Sequence, residues 1–308
     1  MMESDWRLAN KREALQTRAA MIRAIRRFFT DRDYLEVETP TRIPGPAPEA
    51  NIDAIPSDGW YLHTSPELCM KRLLAAGYPR LFQITRCFRG EERGSRHMTE
   101  FTLLEWYESG IDYRRMMELC EEMIVSVAQD LGHEEDITYR GRRIAMGRPW
   151  ERLSVREAFN RYTSVSMEEA LGQGCFDEIM VEEIEPNIGT EGPVFLYDYP
   201  VALGALARTK KTDPRVAERF ELYMGGLELA NAFSELTDAA EQRSRFEEEM
   251  KNRRASGRTA YPMPEKFLAA LPAMPESAGI ALGVDRLAMI FADKESIDDV
   301  VTFTPEDL

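Results

Sequence analysis

A chain of 308 residues can bury one large hydrophobic core, or one core with a small appendage, and a single catalytic domain is the simplest division. Hydrophobic residues at 44% and charged residues at 30% are ordinary for a soluble enzyme, and no run approaches the roughly 18 apolar residues that a membrane helix requires. A net charge of −15 argues against a broad phosphate-binding surface, because nucleic-acid affinity rests largely on Lys and Arg neutralising phosphates.

The opening MMESDWRLANKR has no apolar signal-peptide core, so a cytoplasmic location is expected. From Lys11 to Asp33, Leu15, Ala19, Ile22, Ile25 and Phe29 recur at helical spacing and predict an amphipathic helix. YLEVETP alternates as a half-buried strand that stops at Pro40, and TRIPGPAPEANID is a Pro-rich loop. A helix from Pro66 to Ala76 follows, with Thr64 or Ser65 as its cap and Gly77 as its stop. The strands RLFQITRCFR and EFTLLEWYE are joined by the charged loop GEERGSRHMT, and a second amphipathic helix spans Asp112 to Leu131. The stretch from Gly132 to Pro186 mixes charged and turn residues and gives no periodicity. Beyond it come the strand VFLYDYP, the hairpin FELYMGGLELANAF, a charged helix from Asp238 to Ser256, and the strand GIALG running into the helix VDRLAMIFAD. Strands that succeed one another without helical crossovers predict an antiparallel sheet flanked by helices, an α+β fold. Cys69, Cys87, Cys120 and Cys175 are scattered, which points to reduced, mostly buried thiols and neither a zinc site nor a disulfide framework.

Three places carry candidate chemistry. The charged loop starts at Arg89 and Glu91 and ends at Phe101; a guanidinium fork suits a phosphate and an aromatic face suits a purine, although a solvated hairpin tip has the same composition. If Gly225 and Gly226 form a two-residue turn, Tyr223 faces Glu228, and Glu221 becomes a diagonal neighbour of Glu228 at about 7 to 8 Å. Two carboxylates so placed either share a cation such as Mg²⁺ with nucleotide phosphates or stand solvated on a wet face. In GIALGVDRL, Arg286 falls in the first turn of a helix, where free N–H groups favour an anion; a phosphate or a salt bridge to an acid such as Asp285 would satisfy it.

In this order the segments resemble the three motifs of class II aminoacyl-tRNA synthetases: the helix and strand ending at Pro40, the Arg89–Phe101 loop, and GVDR with Arg286. TSPE, LLEWY and ELANAFSEL resemble the lysyl branch. The chain has no room for an N-terminal anticodon-binding barrel and carries Ala281 where lysyl-tRNA synthetases usually have Gly; both features, with EPNIG, DPRVAERFE and GLELANAFSEL, resemble the truncated paralogues that attach (R)-β-lysine to a lysine of elongation factor P. The resemblance implies a class II catalytic domain over residues 1–308, mainly antiparallel sheet flanked by helices, that uses ATP and Mg²⁺. It further implies β-lysine or lysine as substrate, elongation factor P rather than tRNA as acceptor, and a homodimer formed through the Lys11–Pro40 segment.

By residue, the resemblance makes Arg89 and Arg286 the catalytic arginines on the phosphates. It places Glu91, His97, Met98, Phe101, Glu228, Leu229 and Gly283 around the nucleotide, Glu221 and Glu228 on Mg²⁺, and Ser65, Glu67, Tyr107, Asn231 and Glu235 around the amino acid. An ammonium taken out of water requires such acids. The sequence departs from the paralogues at HMTEF, where they have His-Asn-Pro-Glu-Phe, so a nucleotide contact at Met98 falls to its backbone. It also departs in a shorter segment between Thr163 and Pro186, and in VALGALA after the YP.

Overall fold

Helical periodicity governs the start of the chain, but the buried stripe is rotated from the one that the apolar residues predict. The computed structural model describes residues 3–49 and 51–308. A short helix α1 (Glu3–Asn10), which the sequence does not announce, precedes α2 (Arg12–Thr30). The buried face of α2 holds Ala14, Arg18, Met21, Ala24, Ile25, Phe28 and Phe29, whereas Ala19 is exposed. The cause is Arg18, which enters the core because its guanidinium meets Asp285 at 2.5 Å. The expected strand through Pro40 shrinks to β1 (Leu35–Glu36), an edge strand on which both residues are exposed and no buried face alternates with a solvent one.

The Pro-rich stretch stays irregular apart from β2 (Arg42–Ile43), which joins β3 (Pro56–Ser57) and β4 (Trp60–Leu62) in a small separate sheet. Helix α3 (Glu67–Ala75) starts where Ser65 Oγ accepts the Glu67 N–H at 3.0 Å. Strands β5 (Arg80–Phe88) and β6 (Glu100–Ser109) pair antiparallel as expected, and α4 (Tyr113–Asp130) is capped by the Asp112 carboxylate. The stretch that gives no periodicity holds the hairpin β7 (Asp136–Tyr139) and β8 (Arg142–Ala145), the strand β9 (Glu151–Ser154), and the short helices α5 (Val155–Tyr162), α6 (Met167–Gln173) and α7 (Phe176–Ile179). The hairpin sends Ile137, Tyr139 and Ile144 into the main core, while β9 and the three short helices pack a satellite core around Phe159, Phe176 and Ile184. Strand β10 (Val194–Tyr197), the hairpin β11 (Arg219–Met224) and β12 (Leu227–Ser234), helices α8 (Ala239–Ala255) and α9 (Glu265–Ala270), and β13 (Ser277–Gly283) leading into α10 (Val284–Phe291) complete the chain.

Eight strands form one sheet in the order β1-β5-β6-β13-β12-β11-β10-β9. Its six central strands are antiparallel and only the edge pairs β1–β5 and β9–β10 run parallel, which agrees with the expected fold. Strand alternation divides the residues between two faces. Leu104 and Trp106 of β6, Ala230 and Ala232 of β12, and Ile280 and Leu282 of β13 meet the residues of α2, α4 and α10 in the main core. On the opposite face, α3, α8 and α9 pack around Met70, Phe246 and Phe267, and there the sheet opens into a cavity. The thiols of Cys87 and Cys120 are buried and those of Cys69 and Cys175 partly so, all four free.

Candidate active site

The cavity, about 530 Å³, lies over the central strands β6, β12 and β13. Phe101, Leu103, Glu105 and Tyr107 line it from β6, and Gly279, Ala281 and Gly283 from β13, with Thr102 and Ile280 between them also reaching it. On β12 the alternation is broken to advantage. Gly225 and Gly226, both at positive φ, form the two-residue turn, and Tyr223 faces Glu228 as expected. A bulge then leaves Leu229 without an opposite residue, so that Leu222 faces Ala230 and Glu221 faces Asn231. The extra residue lets Glu228, Asn231 and Phe233 all reach the cavity. It also moves Glu221 opposite Asn231, one residue off the regular register that the expected Glu221–Glu228 diagonal requires.

One end is basic. The Arg89 guanidinium lies 5.0 Å from the centroid of Phe101. Arg286 donates to the Glu228 carbonyl at 2.7 Å and approaches its carboxylate at 3.5 Å, while its other Nη meets His97 Nε2 at 2.6 Å. Burial, followed by the Arg286 charge, lowers the His97 pKa, which keeps the ring neutral and able to accept that bond. Asp285 is not the partner of Arg286. It accepts from Arg18 at 2.5 Å and from the Thr102 N–H at 2.7 Å, and so ties α2 and β6 to the start of α10. Glu91, at a positive φ of 62°, also lines this end, and Met98 lines it with its side chain sunk to 6% exposure.

The other end is acidic. Glu105, 1% exposed, accepts from Ser65 Oγ at 2.6 Å and from the Tyr107 hydroxyl at 2.8 Å. Burial first, and then the Glu67 charge, raise its carboxyl to about 8. Lys71, one turn after Glu67, is inserted between Glu67 and Glu235 and lies 4.8 Å from the Phe233 ring centroid. Burial lowers the Lys71 pKa, but the Glu235 and Glu67 charges outweigh it and hold the amine above its ordinary value. Glu235 is fully buried behind Gly279 and does not line the cavity. Neither Glu105 nor Lys71 stands out in the sequence-based set of site residues. The signals were present: Glu105 shares a strand face with Tyr107, and Lys71 stands at i+4 from Glu67.

Residues 3–307 match the family described as tRNA synthetases class II (D, K and N). The chain belongs to that family. Its class II relatives include elongation factor P–(R)-β-lysine ligases from Erwinia tasmaniensis, 38% identical, and from Pectobacterium atrosepticum, 40% identical, each match covering 98% of both chains. A lysine–tRNA ligase from Moorella thermoacetica is 40% identical over 93% of this chain, which spans 64% of that longer protein.

Of the expected class II site residues, all but Glu221 and Glu235 line the one cavity. The Glu221 carboxylate is engaged by Arg219 at 2.6 Å on Oε1 and by the hydroxyls of Tyr199 at 2.6 Å and Tyr223 at 2.8 Å on Oε2. Glu228 is raised by burial and next by the charge of Glu221, so the two carboxylates do repel each other across the bulged hairpin. Among the described residues no group of three or more acids, histidines or cysteines is placed to cage a metal. Such a pair fits an ion that takes its remaining ligands from a nucleotide.

Proposed function

We propose that this protein activates (R)-β-lysine, and lysine less well, with ATP as an aminoacyl-adenylate, and then transfers the acyl group to a lysine side chain of elongation factor P. The observation that carries this is a single cavity with a buried carboxylate, Glu105, at one end and two arginines, Arg89 and Arg286, at the other. A substrate spanning it presents an ammonium to Glu105, Ser65 and Tyr107 and a carboxylate to the arginines. The near full-length match to elongation factor P ligases supports the acceptor.

Phe101 and His97 flank the adenine, with Glu91 and the Met98 backbone at its edge and Leu229 and Gly283 closing the nucleotide pocket. A substrate carboxylate oxygen attacks the α-phosphorus in line, and the bond from that phosphorus to pyrophosphate breaks. No side chain acts as nucleophile; the protein contributes position and neutralising charge from Arg89 and Arg286. Glu228 and Glu221 would hold Mg²⁺, which when bound would supply further charge neutralisation. In the second half, the acceptor amine attacks the acyl carbon, the acyl–phosphate C–O bond breaks, AMP leaves, and the amine proton is lost to solvent.

Residues 1–308 act here as one cytoplasmic catalytic domain, paired as a homodimer through the Lys11–Pro40 segment. Charging of tRNA is the second reading, motivated by the lysine–tRNA ligase relative; the net charge of −15 counts against it. Among the described residues no helix is long and apolar enough to cross a membrane. ATP–pyrophosphate exchange with a panel of amino acids tests the activation step. Exchange that depends on a lysine-like substrate and is abolished in Arg89→Ala supports it, since losing one such phosphate contact costs about 2.7 to 4 kcal/mol in analogous sites. Wild-type exchange in that variant would remove Arg89 from the site.

A further inference from the structure

The loop between β2 and β3 carries a carboxylate that the activation chemistry above does not use. Glu49 lines the cavity, and among the described residues its carboxylate has no hydrogen-bonding partner. The loop is clamped from behind. Arg253, fully buried, donates to the carbonyls of Glu49 at 2.6 Å and Ile52 at 2.8 Å and to Asp53 Oδ1 at 2.5 Å. Arg258 adds bonds to the Asn51 carbonyl at 3.2 Å and Asp53 Oδ2 at 2.7 Å. From the front, the N–H of Gly90, next to Arg89, donates to the Asp53 carbonyl at 2.6 Å, an approach that leaves only 3.3 Å for any Cβ at that glycine.

With its carbonyl held by Arg253, Glu49 lines the cavity, where the charges that act on it most are those of Arg89 and then Glu67. It therefore stands at the junction between the basic and acidic ends. A carboxylate taken out of water is unfavourable until a cation meets it, and burial raises this one to about 7 against the pull of Arg89. The junction is also where the substrate carboxylate must lie to reach an α-phosphate held by Arg89. Whatever amino group that substrate carries next to its carboxylate is brought to Glu49, some distance from Glu105.

We propose that Glu49 binds the amino group nearest the substrate's carboxylate, so that the cavity selects a diamino acid with one carboxylate for each ammonium. This rests on the activation reading above and adds to it the residue that recognises the proximal amine.

The test compares ATP–pyrophosphate exchange on (R)-β-lysine and on 6-aminohexanoic acid, which keeps the distal amine and lacks the proximal one, in wild type, Glu49→Gln and Glu49→Asp. Loss of a charge-assisted contact raises the KM for β-lysine about 10- to 100-fold in Glu49→Gln. The KM for 6-aminohexanoic acid and for ATP stays unchanged, and Glu49→Asp recovers part of the loss. An equal loss with both substrates, or an unchanged KM for β-lysine, overturns the proposal. Exchange by the wild type with neither substrate contradicts the activation reading itself, and the Glu49 assignment falls with it.

Discussion

Lys71 and Glu235 form an ion pair sealed from water, with side chains 1% and 0% exposed. Glu67 closes the other side of the ammonium. Removing one partner of a buried pair leaves the other charge uncompensated, which typically costs about 3 to 5 kcal/mol. Lys71→Met is therefore expected to lose stability on that scale in urea denaturation. A variant within about 0.5 kcal/mol of wild type, the usual range for surface substitutions, would mean that Glu235 is neutral without Lys71.

The raised carboxyl of Glu105 gives amino-acid binding a pH dependence. Pushed up to about 8 by burial, this carboxyl is protonated at pH 6 and must release its proton before it can pair with an ammonium. Affinity for the amino acid should strengthen by about tenfold per pH unit from 6 towards 8 and then level off. Glu105→Gln should bind weakly and without that slope. Calorimetric titration across this range measures both, and a flat wild-type profile would contradict the assignment.

Gly279 is the bare patch against which the acidic end is packed. A Cβ there would fall 2.2 Å from Tyr107 Cε1 and 2.4 Å from Glu235 Oε1. Gly279→Ala must push Tyr107 off Glu105, since overpacking of this kind costs about 1 to 3 kcal/mol. The expected result is a KM for the amino acid at least about tenfold higher with the KM for ATP little changed. An equal rise in both would place the damage in the fold rather than the amine pocket.

The exposed Ala19 on α2 and Leu35 on β1 leave apolar surface on the segment proposed to form the dimer. An isologous contact would bring two copies of this patch together. Light scattering at micromolar concentration should give twice the chain mass of 35.3 kDa. Leu35→Asp should shift it towards the monomer, and a monomeric wild type would dismiss the interface.

Much of this architecture is legible where side chains repeat with a period. Asp112 and Asp238 announce the starts of α4 and α8, and Gly225–Gly226 announces the hairpin turn. The Leu229 bulge is not legible, because no residue type marks it, and it alone decides which residues of β12 face the cavity. The burial of Arg18 is equally hidden, since its partner Asp285 lies 267 residues away. The stretch 132–186 is too finely divided for periodicity, yet Ser154-x-x-Glu157 and Ser166-x-x-Glu169 form capping boxes at α5 and α6 and could have located both helices. At the site, the motifs lead to the residues that touch the cavity but not to the buried Lys71 that sets the charge behind it.

Transfer of a β-lysyl group to a protein is read directly by intact-mass spectrometry. Elongation factor P from the same organism is incubated with enzyme, ATP and (R)-β-lysine. One added lysyl mass on the factor is expected, absent without ATP and absent with Arg89→Ala. An unmodified factor alongside clear aminoacylation of tRNA would contradict it.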